Sequence, residues 1–121
     1  MEIVRGDIVY VDLEPRRGSE TGKKRPCLVV QNDVNNKYAP TTIIVVITSR
    51  KRFKKQKKYP THVWIDQGQG GLDVDSIIQC EQIRTVEKNR IIKKIGYLDE
   101  TDMKKVEEAI MIILSLGDFK I

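Results

Sequence analysis

The apolar positions of the chain fall into short runs with the composition of β-strands. "DIVYVDL" at 7–13 mixes β-branched and aromatic residues, and "RPCLVVQN" at 25–32 does the same after a long polar segment. "TTIIVVITS" at 41–49 is almost continuously apolar, as expected of a strand buried on both faces. "THVWID" at 61–66 predicts a further strand, and "DSIIQCEQIRTV" at 75–86 predicts either a strand pair or one long bent strand.

The segments between these runs carry loop and turn signals. "EPRRGSETGKK" at 14–24 has the composition of a long loop, "DVNNKYAP" at 33–40 predicts a turn, and "QGQGG" at 67–71 predicts a glycine-rich turn. Pro26 has no N–H to give to a ladder, so we expect it at the start of its strand or on an edge. "RIIKKIGYL" at 90–98 fits either a strand or a short helix.

The last part of the chain predicts one amphipathic helix. Asp99 is a candidate N-cap, and Leu98 and Met103 can form a hydrophobic staple around it. Apolar residues then recur at helical spacing up to a stop at Gly117. The second half, "IMIILSL" at 110–116, is apolar nearly all round, so we expect a partner surface to cover part of it.

Strands in this order, with a single terminal helix, predict a mainly β fold: a small, strongly bent antiparallel sheet or barrel. A chain of 121 residues with 40% hydrophobic residues is the size of one domain, so we expect one domain over residues 1–121. The chain starts without a secretory signal pattern, and its apolar runs are too short to cross a bilayer. We therefore expect a cytoplasmic protein.

The positive charge of the chain is concentrated in one segment. "RKRFKKQKK" at 50–58 holds seven basic residues and no acidic one, so against a net charge of +5 the rest of the chain sums to −2. Such a basic segment is either a solvated loop or a patch that attracts a polyanion.

The chemically reactive residue types are few and scattered. Cys27 and Cys80 stand apart among apolar neighbours, which predicts buried, reduced thiols rather than a metal or redox site. His62 is the one histidine, and its place in a predicted strand favours a structural role. The common phosphate-loop, dinucleotide, zinc-protease and serine-hydrolase motifs are absent. Polar and basic loops on a β scaffold suit a phosphate ligand, and RNA can supply its own nucleophile through the 2′-hydroxyl.

Four stretches, in this order along the chain, carry a resemblance to a known family: "RGDIVYVDLEP" at 5–15, "GSETGKKRPCLVVQND" at 18–33, "TTIIVVITS" and "DSIIQCEQIRTV". They resemble the MazF/PemK family, the ribosome-independent RNA-cleaving toxins of bacterial toxin–antitoxin pairs. The resemblance implies a compact SH3-like, CcdB/PemK-like antiparallel barrel that forms a homodimer. It also implies cleavage of single-stranded RNA at short sequence motifs, without a metal or other cofactor, to leave 2′,3′-cyclic phosphate and 5′-hydroxyl ends.

The same resemblance implies roles for individual residues. Arg25 and Thr48 match the catalytic pair, with Arg25 binding the scissile phosphate and Thr48 helping to hold its charge. The positions that match RNA-contacting or assisting residues are Ser19, Glu20 and Gln79, and Arg5, Arg16 and Arg17 are candidates for further contacts. Each has a structural alternative: an arginine at a sheet edge, a β-branched strand residue or an exposed amide. Tyr10, Trp64 and Tyr97 are assigned to core or dimer packing.

The implied partners are RNA, a second copy of the chain and an acidic, MazE-like antitoxin whose tail competes with RNA for the same positive charge. The promoter DNA of the toxin–antitoxin pair is a further implied partner of the complex, and no membrane is involved. Two other functions are consistent with the sequence. One is a non-catalytic, CcdB-like toxin that binds a protein such as a gyrase, and the other is a nucleic-acid-binding module without activity.

Overall fold

The computed structural model describes residues 1–14, 18, 23–53 and 58–117. The strands are β1 (Asp7–Asp12), β2 (Lys24–Val29), β3 (Thr41–Ser49), β4 (His62–Ile65), β5 (Ser76–Glu87) and β6 (Ile91–Tyr97). The helices are α1 (Asp33–Tyr38) and α2 (Glu100–Ile113), and short 3-10 turns cover Arg50–Arg52, Gln69–Gly71 and Lys88–Arg90.

The strands form one curled antiparallel sheet in the order β4-β5-β3-β2-β1-β6. The predicted fold class is confirmed, although the sheet keeps two edges, β4 and β6, and is not a strictly closed barrel. The glycine-rich turn after β4 covers the β6 edge. A side chain on Gly71 would collide with the carbonyl of Ile95, and one on Gly96 would collide with that of Gly70. Only glycine allows this approach of two backbones.

The buried apolar side chains divide into two clusters on opposite faces of the sheet. Val45 and Ile47 of β3 face the cluster that includes Val106 of α2. Ile44 and Val46, the alternate residues, face a second cluster built with β1 and β2. Both faces of β3 are therefore buried, which explains its continuously apolar sequence.

The long strand β5 is a single bent strand, one of the two alternatives that its sequence allowed. Val45 of β3 pairs with Ile83, whereas the next residue, Val46, pairs with Gln79. Residues 80–82 therefore have no partner in β3, and the strand bends there. The first part of β5 pairs with β4, and the second part pairs only with the first half of β3.

The segment 33–40 corrects the sequence prediction, because it forms the helix α1 rather than a turn alone. The side chain of Asn32 caps the helix by accepting a hydrogen bond from the backbone N–H of Asn35 at 2.9 Å. Asn36 is the buried residue of this helix, and its side chain forms hydrogen bonds with Gln31 and Thr42. These tertiary hydrogen bonds hold a helix too short to be stable alone.

The ambiguous segment 90–98 contains a strand, β6, and the terminal helix forms as predicted. Asp99 caps α2 by accepting a hydrogen bond from the N–H of Asp102 at 2.8 Å. The helix ends at Ile113, before Gly117. Met111, Ile113, Leu114 and Leu116 are exposed, so the expected surplus of apolar surface is present. Within the described part of the chain, no helix is long and apolar enough to span a membrane.

Candidate active site

The pairing of β2 with β3 brings Arg25 and Thr48 together. Cys27 pairs with Val46, and continuing this register by two residues places Arg25 opposite Thr48. Alternation puts both side chains on the same face of the sheet. Pro26 has no N–H to donate across the strands, and the β2–β3 ladder begins only after it, at Cys27. Arg25 and Thr48 therefore lie just beyond the last paired residues of β2 and β3.

Both residues line a cleft of about 690 Å³ at the end of the sheet where β2 begins and β3 ends. The cleft takes residues from both faces of the sheet and is bordered by Tyr10, Ser49, Ser76, Asp73, Lys93 and Lys94. The lining holds three cations and one acid, and although Lys94 pairs with Asp7 at 3.1 Å, the cleft keeps a net positive charge and suits an anionic ligand. Thr48 is only 4% exposed, and among the described residues none hydrogen-bonds its hydroxyl.

Cys27 lies directly behind Arg25 and fixes its backbone. Its thiol donates a hydrogen bond to the Arg25 carbonyl oxygen, with a sulfur–oxygen distance of 3.6 Å. Burial raises the pKa of the Cys27 thiol to about 12, although the nearby positive charges of Arg84 and Arg25 act to lower it. The thiol therefore stays protonated at neutral pH. Cys80 is also free and buried, so the prediction of two buried thiols is confirmed.

Gln79 lies on the same face as the catalytic pair. It pairs with Val46 of β3 on one side and His62 of β4 on the other, and it is 5% exposed. Its side-chain carbonyl oxygen is buried and has no hydrogen-bond partner. A buried carbonyl without a partner lowers the stability of the fold, which is consistent with a site where a ligand supplies the hydrogen-bond donor. Contact with RNA stays a prediction.

Arg5 is held elsewhere, outside the cleft. Its Nε donates to the carbonyl of Val30 at 3.1 Å, and its Nη2 pairs with Glu107 of α2 at 2.8 Å. These contacts tie the start of the chain to the helix, so the structure gives Arg5 a structural role, and its predicted contact with RNA has no support from this placement. Four other predicted contact residues, Arg16, Arg17, Ser19 and Glu20, lie outside the described residues, as does 54–57 of the basic segment.

The structure adds residues to the cleft that the sequence did not indicate. Tyr10 was assigned to packing but borders the cleft, with the ammonium group of Lys93 5.9 Å from its ring centre. Lys93 and Lys94 lie in the segment whose strand or helix character was ambiguous, so their direction was not predictable. The place of Tyr10 between two valines, in a run with strand composition, was the one available signal.

The contacts of His62 are consistent with the structural role that the sequence favoured, although its Nδ1 is buried without a hydrogen-bond partner. Its Nε2 lies 3.0 Å from Oε2 of Glu81, and the rings of Phe53 and Tyr59 pack edge-on against it. Within residues 1–14, 18, 23–53 and 58–117, no cluster of three or more histidine, cysteine or acidic side chains could hold a metal ion.

The chain is a small β domain: a curled antiparallel sheet with one terminal helix, in which an arginine and a threonine border a cleft of net positive charge. A family profile described as "PemK-like, MazF-like toxin of type II toxin-antitoxin system" matches residues 4–114. The chain belongs to this family.

Two relatives match over nearly the whole chain. Endoribonuclease EndoA of Bacillus subtilis (strain 168) is 47% identical over 119 residues, which cover 98% of this chain and 100% of the relative. Endoribonuclease MazF of Staphylococcus saprophyticus is 48% identical over 112 residues, 93% of this chain and 91% of the relative.

Solved structures share the fold. MazF from Deinococcus radiodurans superposes with a TM-score of 0.80 at 21% identity, covering 95% of this chain and 98% of that one. An endoribonuclease from a mycobacterial species, solved in complex with its cognate antitoxin, gives a TM-score of 0.77 at 20% identity, with 95% and 97% coverage. At these identities the likeness establishes the architecture alone.

Proposed function

We propose that the chain is an endoribonuclease toxin that cleaves single-stranded RNA, at short sequence motifs, in the cytoplasm. The observation that carries the proposal is the placement of Arg25 and Thr48 on one face of adjacent strands, in a cleft rich in cations. Two relatives of nearly the same length that are named endoribonucleases support RNA as the substrate.

The proposed step uses the RNA's own 2′-hydroxyl as the nucleophile. The 2′-oxygen loses its proton and forms a bond to the adjacent phosphorus, while the bond from phosphorus to the 5′-oxygen breaks and that oxygen gains a proton. The products are a 2′,3′-cyclic phosphate and a 5′-hydroxyl. Because the nucleophile belongs to the substrate, the step needs no metal-activated water.

Arg25 and Thr48 act on the charge that develops in this step. Negative charge grows on the non-bridging oxygens of the phosphorus in the transition state, and groups already aimed at it stabilise it most. The guanidinium of Arg25 is permanently charged and can donate to two of these oxygens. The Thr48 hydroxyl, which no described residue engages, donates a further hydrogen bond. Their strands hold both groups more rigidly than a loop would.

The remaining predicted contacts belong to substrate recognition. Gln79 presents its unpartnered carbonyl on the face of the catalytic pair and suits a donor group of a base. Ser19, Glu20 and Arg17 precede Arg25 in the chain, and we propose that this segment contacts the RNA around the scissile phosphate. Glu20 either accepts a proton or orients Arg25 or a base.

The experiment is to incubate the purified protein with a long single-stranded RNA in EDTA and to map the ends of the fragments. We expect discrete cuts with 5′-hydroxyl ends, and a loss of about a thousandfold in rate for Arg25→Ala, since one charged donor to the transition state is removed. Thermal unfolding of the variant controls for its fold. Intact RNA at high protein concentration would instead favour the non-catalytic, CcdB-like alternative.

We also propose that an acidic antitoxin competes with RNA for the cleft. The excess of cations in its lining supports this proposal, as does the mycobacterial endoribonuclease that was solved with its cognate antitoxin. Antitoxin added at a concentration that occupies a small fraction of the protein should raise the KM for RNA and leave kcat unchanged. Simultaneous binding of RNA and antitoxin in a titration would contradict the proposal. Binding of the complex to its promoter DNA stays a prediction.

A homodimer is the third part of the proposal. An apolar groove formed by Val30, Ile43, Ile83, Ile110, Met111 and Leu116 lies on the surface, next to the exposed end of α2. A second copy of the chain would cover this surface. Light scattering should give twice the chain mass, and Leu116→Glu should shift the protein towards the monomer. A wild-type protein that is monomeric at micromolar concentration would contradict this part.

A further inference from the structure

Trp64 of β4 lies against the two cations that bracket the basic segment 50–58. The guanidinium carbon of Arg50 is 4.6 Å from its ring centre, and the ammonium nitrogen of Lys58 is 4.9 Å from it. Both distances are within the range of a cation–π interaction. Arg50 and Lys58 are the first and last residues of the segment, so one ring holds both of its ends.

The two cations differ in their other contacts. Arg50 pairs with Asp66 at 3.0 Å and lies 3.7 Å from Asp75, and its side chain is 15% exposed. Lys58 is exposed, and no carboxylate in the described part of the chain pairs with it. Arg50 therefore belongs to the scaffold of the cluster. Lys58 contacts the ring and is itself exposed, so its ammonium group is available to an anion.

The strand register places this cluster beside the catalytic pair. Trp64 pairs with Ile77 of β5, and Ile77 pairs with Thr48 of β3. With Arg25 opposite Thr48, these residues form one row across four strands, with their side chains on one face. Two strand spacings separate Trp64 from Thr48, about 10 Å. Ile77 in the middle of this row is buried, and Lys58 and Trp64 line a separate pocket with Lys105 and Glu108 of α2, at the β4 edge of the sheet. An RNA strand that leaves the cleft and crosses this edge passes Lys58.

We propose that Trp64 is a positioning residue that holds Lys58 as a binding group for a phosphate of the RNA next to the cleavage site. The inference rests on the proposed function, because it assigns the ligand as single-stranded RNA. A lysine that the ring has already ordered loses less side-chain entropy when it binds phosphate. The ring thus acts on RNA affinity through the lysine and not on the chemical step.

The test is a double-mutant cycle on binding and cleavage of a short single-stranded RNA. Trp64→Leu and Lys58→Gln should each raise the dissociation constant and KM about fivefold, with kcat unchanged. Each should also reduce the slope of log affinity against log salt by about 0.7, the value for one lost phosphate contact on a single strand. The double variant should bind no more weakly than either single variant, and Trp64→Phe should restore most of the affinity.

The chain offers a matched control on α1, at the opposite end of the sheet. Lys37 lies over the ring of Tyr38 at 5.4 Å, so Tyr38→Leu removes the same kind of contact far from the cleft. This variant should leave RNA affinity unchanged. If Tyr38→Leu changes RNA affinity and salt slope as much as Trp64→Leu does, the proposal is overturned.

The outcomes separate the inference from the proposed function. A wild-type protein that cleaves RNA, together with Trp64→Leu of unchanged KM and salt slope, overturns the inference alone. Additive losses in the double variant also overturn it, because Lys58 would then act without the ring. A wild-type protein that cleaves no RNA overturns the proposed function, and the binding titration still tests the pairing of Trp64 with Lys58. Lys58→Gln is an exposed change that keeps the test valid if Trp64→Leu fails to fold.

Discussion

Two threonines on one strand show the difference between the two ends of the sheet. Thr42 and Thr48 lie on the same face of β3 and are 0% and 4% exposed. The hydroxyl of Thr42 donates to Oδ1 of Asn36 at 2.7 Å. The hydroxyl of Thr48 has no partner among the described residues and borders the cleft. Two threonines of similar burial thus differ: the hydroxyl at one end of the strand is hydrogen-bonded, and the one at the other end has no partner among the described residues.

The neighbours of each threonine repeat this difference. Around Thr42, the amide of Asn36 bonds to the carbonyl of Gln31 at 2.9 Å and to Asp33 at 3.1 Å. On the face of Thr48, the carbonyl of Gln79 and the indole N–H of Trp64 are buried without partners. Satisfied polar groups stabilise a fold, whereas unsatisfied ones cost free energy unless a ligand completes them. We therefore expect the first end of β3 to serve the fold and the second to serve binding.

The largest effects expected from this comparison come from replacing each threonine by valine, which keeps the shape and removes the hydroxyl. Thr48→Val should lower the rate of RNA cleavage about a hundredfold, the usual cost of one hydrogen bond to a transition-state anion. Its free energy of unfolding should not fall, because no hydrogen bond within the described residues is lost. Thr42→Val should leave the cleavage rate unchanged and lower the free energy of unfolding by about 1 kcal/mol.

Cleavage rates and urea unfolding curves of both variants test this prediction. Thr85→Val is the matched control, because Thr85 lies on the exposed side of β5 and pairs with Ile43. It should alter neither quantity. An active Thr48→Val enzyme, or one that is destabilised as much as Thr42→Val, would remove the distinction between the two ends of the strand.

A smaller effect is expected for Gln79→Leu. Removing a buried carbonyl that has no partner should raise the free energy of unfolding by about 1 kcal/mol. If the amide contacts RNA, the same change should raise KM several-fold while kcat stays within a factor of about two. Urea unfolding and steady-state cleavage measure the two quantities. A variant that is more stable and has an unchanged KM would show that Gln79 takes no part in binding.

The sequence predicted most of the fold because its strands are short and strongly apolar. β3 was recognisable from its continuous apolar run at 43–47 and its β-branched residues, and α2 from its cap at Asp99 and its apolar spacing. The helix α1 was missed because its stability comes from buried hydrogen bonds of Asn36 with residues outside the helix. A local pattern carries no information about such partners.

The site was predictable only in part, for a geometric reason. The resemblance identified Arg25 and Thr48, and the register of β2 and β3 places them side by side. The bend at 80–82 in β5 shifts the alternation of the strand, so that Gln79 and Arg84 face the same side although one number is odd and the other even. The row from Trp64 to Arg25 depends on pairings in the folded sheet. Trp64 was therefore assigned to packing, and its contact with two cations was not predicted.

The smallest effect concerns the thiol of Cys27, which lies between the two ends of the sheet. This effect on stability is expected only at alkaline pH. Burial raises its thiol pKa from 9.0 to about 12, and the pKa of Cys80 is raised likewise, with Glu81 adding to the effect. A folded-state pKa above the unfolded one favours the fold fully below pH 9, and this contribution is lost as the pH rises towards 12.

Each thiol should therefore lower the free energy of unfolding by about 1 kcal/mol for each pH unit in this window. Urea unfolding at pH 8 and pH 10 measures this loss, and Cys27→Ala should show a smaller loss than the wild type. Equal losses would mean that the cations beside Cys27 already hold its thiol near 9. The cations near the cleft would then act on the ionisation of a thiol in the core, beyond the carbonyl of Arg25.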